Sequence, residues 1–429
     1  MKGTSWGHQW WLTDLRNSRY NNWLFAVVHF LSVLTVSPLQ RQTNFMSPVV
    51  IDVRSAEDPR DVVHRAVQAL VEGQIVAFPT ETVYGIAASA RNETAVERLL
   101  EAKKRPKNQP LTLAIKSADE ADDYVPGISS LGRRLARRCW PGPITLVAPA
   151  DHPHSLVQQL PANVREAIAP NGTVGLRVPA HPLILDVLRL LAGPIALSSA
   201  NLSGQPDAIT AQQVMDAMGE EIPFIFDDGR SKLGQPSSVV RVHDGELEML
   251  REGVVSKATL QRLSNLLILF VCTGNTCRSP MAELLMRKHI AARLGCGIEE
   301  LQDRGINVFS AGIAAMAGGR PSPESVEVMG KMSLDLCSHE SQPLSERLVR
   351  HADMIFTMTC SHRDAIISQW PSASDRTQLL CQDGSDVPDP IGGSLNVYQH
   401  CADHLNAEIE VRAAELDLDE LVGRIIHPT

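Results

Sequence analysis

Leu266-Leu267-Ile268-Leu269-Phe270-Val271-Cys272-Thr273-Gly274-Asn275-Thr276-Cys277-Arg278-Ser279-Pro280 decides the fold of the second half of the chain. Its apolar opening reads as a buried strand that ends on a cysteine. A short loop with one glycine follows, and Pro280 opens a helix through Ala282, Glu283, Leu284 and Leu285. The loop therefore sits at a helix N-terminus, where backbone N–H groups converge on an anion and the helix dipole favours negative charge. That field favours the thiolate form of a cysteine. Arg278, six residues after Cys272, carries the planar fork that grips two oxygens of a phosphate. Thr273, Gly274, Thr276 and Cys277 complete the loop, and Asn275 and Ser279 stand where they can brace it and donate to the thiolate. A thiolate, an N–H cradle and a bidentate arginine specify displacement at phosphorus. Outward from this stretch, strands are expected at 304–311, 352–358 and 377–380 and a helix at 323–332. Alternating strands and helices imply a doubly wound parallel sheet with its ligand at the strand C-termini.

This loop is similar to the active-site loop of the low-molecular-weight protein tyrosine phosphatase family, and the resemblance runs to about Leu418. It implies a phosphocysteine at Cys272 and a general acid. Asp386-Val387-Pro388-Asp389-Pro390 offers two aspartates. The Asp-Pro pair at 389–390 matches the family's acid, so Asp389 is assigned and Asp386 is read as turn chemistry. Thr276 resembles the protein-arginine phosphatase branch, where tyrosine-directed members carry a bulkier aliphatic residue. Ile391-Gly392-Gly393 departs from both branches, each of which has an aromatic after Asp-Pro. Phosphoarginine and phosphotyrosine both stay open. Cys277 either fills space or forms a reversible disulfide with Cys272. An oxyanion-reductase reading needs a spaced pair of resolving cysteines, which Cys337, Cys360 and Cys381 do not form. His400, Cys401 and His404 have helical metal-ligand spacing but lie on a polar helix, so no metal is expected there. No cofactor is expected for the phosphatase.

The preceding part of the chain places cations, hydroxyls and an amide at strand ends. Pro79-Thr80-Glu81-Thr82-Val83-Tyr84-Gly85 follows the strand 74–78, and Lys103 and Arg105 close the helix 93–104. Arg177 interrupts an otherwise apolar strand. Ser199 and Asn201 follow the strand 194–197, and Ser237 precedes the strand 239–242. Such a set describes a phosphate-rich ligand site in an α/β fold. These motifs, with Trp140-Pro141-Gly142-Pro143-Ile144-Thr145, Leu176-Arg177-Val178-Pro179-Ala180-His181 and Leu250-Arg251-Glu252-Gly253, resemble the YrdC-like threonylcarbamoyl-adenylate synthase family over about 50–256. The resemblance implies an α/β domain with a twisted mixed sheet that makes threonylcarbamoyl-AMP and pyrophosphate from ATP, L-threonine and bicarbonate. The product goes to a transferase that modifies tRNA. Lys103 and Arg105 would then neutralise the triphosphate. Thr80 and Arg177 would hold the threonine or carbamate carboxylate, with His181 in support. Ser199, Asn201, Ser237 and Arg251 would complete the nucleotide site, with Mg2+ on the phosphates. The alternative is an RNA-binding or regulatory module beside an active phosphatase.

The expected organisation of the 429 residues is an extension at 1–45, a synthase-like domain at 46–256, a linker at 257–265 and a phosphatase domain at 266–429. A net charge of −9 gives no sign of a large nucleic-acid-binding face. Eight scattered cysteines show no secreted disulfide framework and fit a reducing cytosol. Phosphorylated proteins are the expected partners of the second domain, and no membrane is expected. Residues 1–45 hold Trp6, Trp10, Trp11 and Trp23 and an apolar run from Leu24 to Val36, too short to span a bilayer comfortably. The texture changes at Met46-Ser47-Pro48. The segment before it reads as a misassigned extension with translation starting at Met46, or else as a weak membrane-surface anchor.

Overall fold

A computed structural model describes residues 48–426 apart from 105, 107, 108, 244 and 423. The opening segment and Arg105 lie outside the described residues. No described helix is long and apolar enough to cross a membrane.

Two sheets organise the rest. Ten strands come from the first half: β1 (Val49–Asp52), β2 (Val76–Phe78), β3 (Gly85–Ser89), β4 (Thr112–Ala114), β5 (Ile144–Pro149), β6 (Thr173–Arg177), β7 (Ile195–Ser199), β8 (Phe224–Asp227), β9 (Ser238–His243) and β10 (Glu246–Arg251). The second half supplies β11 (Leu266–Cys272), β12 (Ile306–Gly312), β13 (Met354–Thr357), β14 (Thr377–Leu379) and β15 (Arg424–Ile426). The first sheet runs β1-β8-β2-β3-β7-β4-β6-β5-β9-β10-β15 and mixes parallel with antiparallel pairs. Its last member is the returning β15, which lies parallel to β10. The expected mixed sheet is thus present. Successive side chains point to opposite faces and both faces are covered, so β2 is wholly apolar and β3, β4, β6 and β7 are apolar over most of their length. Val76, Phe78 and Ala87 pack with Val62, Leu70, Leu183 and Ile184 on one face, while Ala77, Ile86 and Ala88 pack with Leu99 and Leu131 on the other.

The second sheet is wholly parallel in the order β12-β11-β13-β14. Every residue of β11 is buried. Ile268, Phe270 and Cys272 face Met281, Leu285 and Leu405. Leu267, Leu269 and Val271 face Val349 and Ile366. Helices therefore cover both faces, which is the doubly wound arrangement expected. Cys272 ends a central strand on the side covered by the helix that follows it. That helix spans Arg278–Leu294, two residues earlier than Pro280 suggested. Pro280 occupies the first turn, where its missing N–H leaves no bond unmade.

The connector between the halves is the helix Lys257–Ser264, capped by Ser256 and buried through Leu260. The joint is charged. Arg134, Arg137 and Arg138 of the helix Ser130–Cys139 converge on Asp353, just ahead of β13. Arg138 also donates to the carbonyls of Leu263, Asn265 and His351, and Arg350 donates back to those of Arg137 and Trp140.

Candidate active sites

The phosphate loop is a network centred on Cys272. Ser279 Oγ lies 2.9 Å from Cys272 Sγ, and the Asn275 backbone N–H donates to that sulfur at 3.2 Å. Asn275 sits at φ 55°, in the left-handed region that asparagine tolerates better than most residues. Its side chain fixes the turn from within: Nδ2 donates to Ser279 Oγ at 3.0 Å and Ser310 Oγ at 2.9 Å, and Oδ1 accepts from Gln342 N at 2.9 Å. Gly312, at the end of the neighbouring β12, leaves room for the loop. A Cβ there would stand 2.5 Å from Thr273 O and 2.9 Å from Asn275 N. Cys272 is 3% exposed, and these contacts aim its sulfur into the loop.

Arg278 Nη1 donates to Val387 O at 3.1 Å, and its Nη2 meets Asp389 Oδ2 at 2.5 Å. The structure therefore brings Arg278 and Asp389 together from positions more than a hundred residues apart, with Arg278 next in sequence to the Ser279 that contacts Cys272. Asp386 turns away and accepts from Cys360 N. Cys277 is buried, within 3.4 Å of Ser322 Oγ and 3.6 Å of Tyr398 Oη and Thr276 Oγ1. Burial pushes the Tyr398 phenol up to about 12. Ile391, after Asp-Pro, is 69% exposed. Sequence reasoning missed His362. Its Nε2 is 2.9 Å from Thr273 Oγ1 and its Nδ1 is 2.9 Å from Thr359 Oγ1. Burial, with Arg278 nearby, holds its imidazole below the usual histidine range, so it braces the loop in neutral form.

In the first half, Thr80, Arg177, Ser199, Ser237 and Arg251 line one pocket at the strand ends of the mixed sheet. Arg177 is oriented by Glu81 Oε1 at 2.6 Å, Thr82 Oγ1 at 2.8 Å and Gly142 O at 3.3 Å. Thr80 Oγ1 donates to Val83 O at 2.6 Å. Arg251 donates to Ser237 O at 2.7 Å, and burial lowers its pKa. Lys103 is 2% exposed and stands behind this lining, where its Nζ donates to Ser199 O at 2.6 Å and Asn201 Oδ1 at 2.9 Å. His181 is set apart, its Nε2 3.0 Å from Asp228 Oδ2, and burial lowers its pKa. Sequence reasoning also passed over Glu81, although it lies inside the quoted Pro79–Gly85 stretch. It is 7% exposed and ties Arg177 to Ala180 N.

Comparison with known proteins follows the same division. The family model described as Telomere recombination, of the YrdC type, matches residues 68–253, and the Low molecular weight phosphotyrosine protein phosphatase model matches residues 267–421. The Threonylcarbamoyl-AMP synthase of Bacillus subtilis (strain 168) is 36% identical over 212 residues, which are 49% of this chain and 58% of that protein. The chain thus spans little more than half the length of that relative. The Threonylcarbamoyl-AMP synthase of Vibrio vulnificus (strain YJ016) is 34% identical over 192 residues, 44% of this chain and 97% of that protein. The Protein-arginine-phosphatase of Bacillus subtilis (strain 168) is 40% identical over 156 residues, 35% of this chain and 97% of that protein.

Proposed function

Because the chain belongs both to the YrdC-type family described as Telomere recombination and to the low molecular weight phosphotyrosine protein phosphatase family, we propose that it is a bifunctional enzyme. Its first domain (46–256) makes threonylcarbamoyl-AMP from ATP, L-threonine and bicarbonate and releases pyrophosphate. Its second (266–429), beyond the linker at 257–265, hydrolyses phosphorylated proteins. The phosphatase reading is supported by two contacts of the loop that follows β11, Cys272 with Ser279 and Arg278 with Asp389.

In this reading Cys272 attacks phosphorus in line with the leaving group, which departs with a proton from Asp389. Arg278 must exchange Asp389 for two phosphate oxygens, so substrate arrival frees the acid for the leaving group. Water then attacks phospho-Cys272 and gives a proton back to Asp389, releasing inorganic phosphate and restoring the thiolate. Ser279 and the Asn275 N–H, already aimed at the sulfur, stabilise it as leaving group in this second step. Phosphoarginine is the preferred substrate. Thr276 supports this, as does the likeness to an arginine phosphatase.

Synthase catalysis relies on positioning and charge. Thr80 and Arg177 hold a carboxylate of threonine or its carbamate. Ser199, Asn201, Ser237 and Arg251 complete the nucleotide site, with Lys103 and Arg105 neutralising the triphosphate and His181 in support of the carboxylate contact. Mg2+ would enter on the triphosphate, because Glu81 is already committed to Arg177 and Ala180 N. A tRNA-modifying transferase is the onward partner, and the reducing cytosol is the fitting compartment. The pocket's hydroxyls and arginines favour this over an RNA-binding or regulatory module.

The test is to assay the full chain for both activities. Pyrophosphate release should require threonine and bicarbonate together, and kcat/KM should be higher for phosphoarginine than for phosphotyrosine peptides. Threonine-independent release would overturn the synthase assignment. A preference for phosphotyrosine would overturn the substrate assignment but leave the Cys272 mechanism standing.

A further inference from the structure

The chain leaving β14 turns at Leu380, Cys381 and Gln382 before it reaches Asp386 and Asp389. That corner is pressed against the helix Leu395–Glu415. Arg412 grips it through the carbonyls of Leu380 at 2.9 Å and Leu379 at 2.8 Å. One and two turns earlier, the same helix presents Glu408 and His404. Cys381 Sγ lies 3.6 Å from His404 Nε2, which is 3.9 Å from Glu408 Oε1. The three candidate ligand atoms all fall within 4.8 Å of one another. The second Glu408 oxygen accepts from Gln382 N at 3.3 Å, so the carboxylate is oriented from outside the cluster. Cys381 is buried, and His404 and Glu408 are half-buried. The trio differs from the His400, Cys401 and His404 spacing visible in the sequence, since Cys401 Sγ is 3.8 Å from Pro388 O.

Tetrahedral zinc bonded at about 2.3 Å to sulfur and about 2.0–2.2 Å to nitrogen and oxygen sets ligand-to-ligand edges of roughly 3.3–3.6 Å. The observed 3.6 and 3.9 Å separations lie near those edges, and the third, within 4.8 Å, closes to them by a movement of about 1 Å or less. A thiolate, an imidazole and a carboxylate suit a borderline cation and not hard Mg2+ or Ca2+. His and Glu one helical turn apart lie on a single face, and the Gln382 N–H that holds the second Glu408 oxygen supplies the outer support such sites use.

We propose that Cys381, His404 and Glu408 bind one zinc-class divalent cation, with water completing the coordination. The cation would tie the corner that leads into the Asp389 loop to the helix behind it. Binding converts the Cys381 thiol to thiolate and releases its proton to solvent, so affinity rises with pH.

The probe is Co2+, titrated into the full chain carrying Cys272→Ser so that the nucleophile contributes no thiolate. A thiolate-to-cobalt charge-transfer band should develop to a single equivalent and be displaced by Zn2+. It should vanish in Cys381→Ser. In His404→Gln and Glu408→Gln, half-buried helix changes that leave the core intact, affinity should fall by roughly tenfold or more. A missing band, a band that survives Cys381→Ser, or undiminished affinity in both helix variants would overturn the site.

Discussion

Asp353→Ala removes the carboxylate on which the joint between the two halves is built. Arg134 Nε and Arg137 Nη2 approach Oδ1 at 3.0 and 2.6 Å, and Arg138 Nη2 approaches Oδ2 at 2.8 Å. The Arg134 contact is ionic only, since no hydrogen bond is formed by its Nε. Exposed ion pairs contribute about 1 kcal/mol or less. Here the arginine side chains at 134 and 138 are 1% and 3% exposed, so the loss of their counter-charge cannot be made good by water. Breaking a buried pair from one side costs about 3–5 kcal/mol. Arg138 keeps its carbonyl partners at Leu263, Asn265 and His351, and Arg134 keeps Ser264 O, which places the expectation near the lower bound, at about 3 kcal/mol. At about 2–4 °C per kcal/mol for units of this size, the melting temperature should fall by roughly 6–12 °C. Asp353→Asn, which keeps an acceptor but no charge, should fall between. Differential scanning calorimetry of the full chain measures this. An Asp353→Ala protein melting within about 1 °C of wild type would refute the reasoning, because a buried carboxylate cannot be both the centre of the joint and dispensable.

The same cluster sets a pH dependence. Burial pushes the Asp353 carboxyl up, but the three arginines outweigh it, and its pKa lies below the usual carboxylate value. The stability it contributes is therefore complete above the unfolded pKa of about 3.9 and lost as pH falls through the depressed folded value. His351 adds a loss at higher pH. Burial, then the charges of Arg138, Arg347 and Arg350, bring its imidazole down to about 4. The unfolded chain takes up this proton from about pH 6.5 downward and the folded chain does not, so stability declines across that window. Melting curves should show both limbs in wild type and lose the lower one in Asp353→Ala.

In the phosphatase site, Asp389→Asn should lower turnover of poor leaving groups by roughly 10²–10⁴-fold and that of activated aryl phosphates far less, as a leaving-group series in kcat/KM would show. Gly312→Ala should cut kcat by about 100-fold through displacement of Thr273 and Asn275, and the backbone clash should lower stability by about 1–3 kcal/mol. A near-normal kcat would mean that the loop yields to the added methyl without losing its geometry.

How much of this was legible follows from what a local pattern encodes. The run 266–272 is apolar at every position, so its burial on both faces, and the placing of Cys272 at its end, could be read without coordinates. The hydroxyls and cations at strand ends were equally visible, and Thr80, Arg177, Ser199, Ser237 and Arg251 do meet at one pocket. What stayed hidden are the residues that hold these in place. His362 braces Thr273 across 89 positions, and Glu81 orients Arg177 across 96. Neither separation corresponds to a helix or strand period. Arg137 and Arg138, in the last turn of their helix, look like basic residues complementing a dipole until Asp353 is packed against them. The helical spacing of His400, Cys401 and His404 shows the opposite failure. A periodicity can say which residues share one helix face, but Cys381, the neighbour that His404 meets, comes from another segment. The reacting groups sit where a strand ends and a helix begins, and such junctions leave a signature in sequence. Their supports are chosen by tertiary packing, which leaves none.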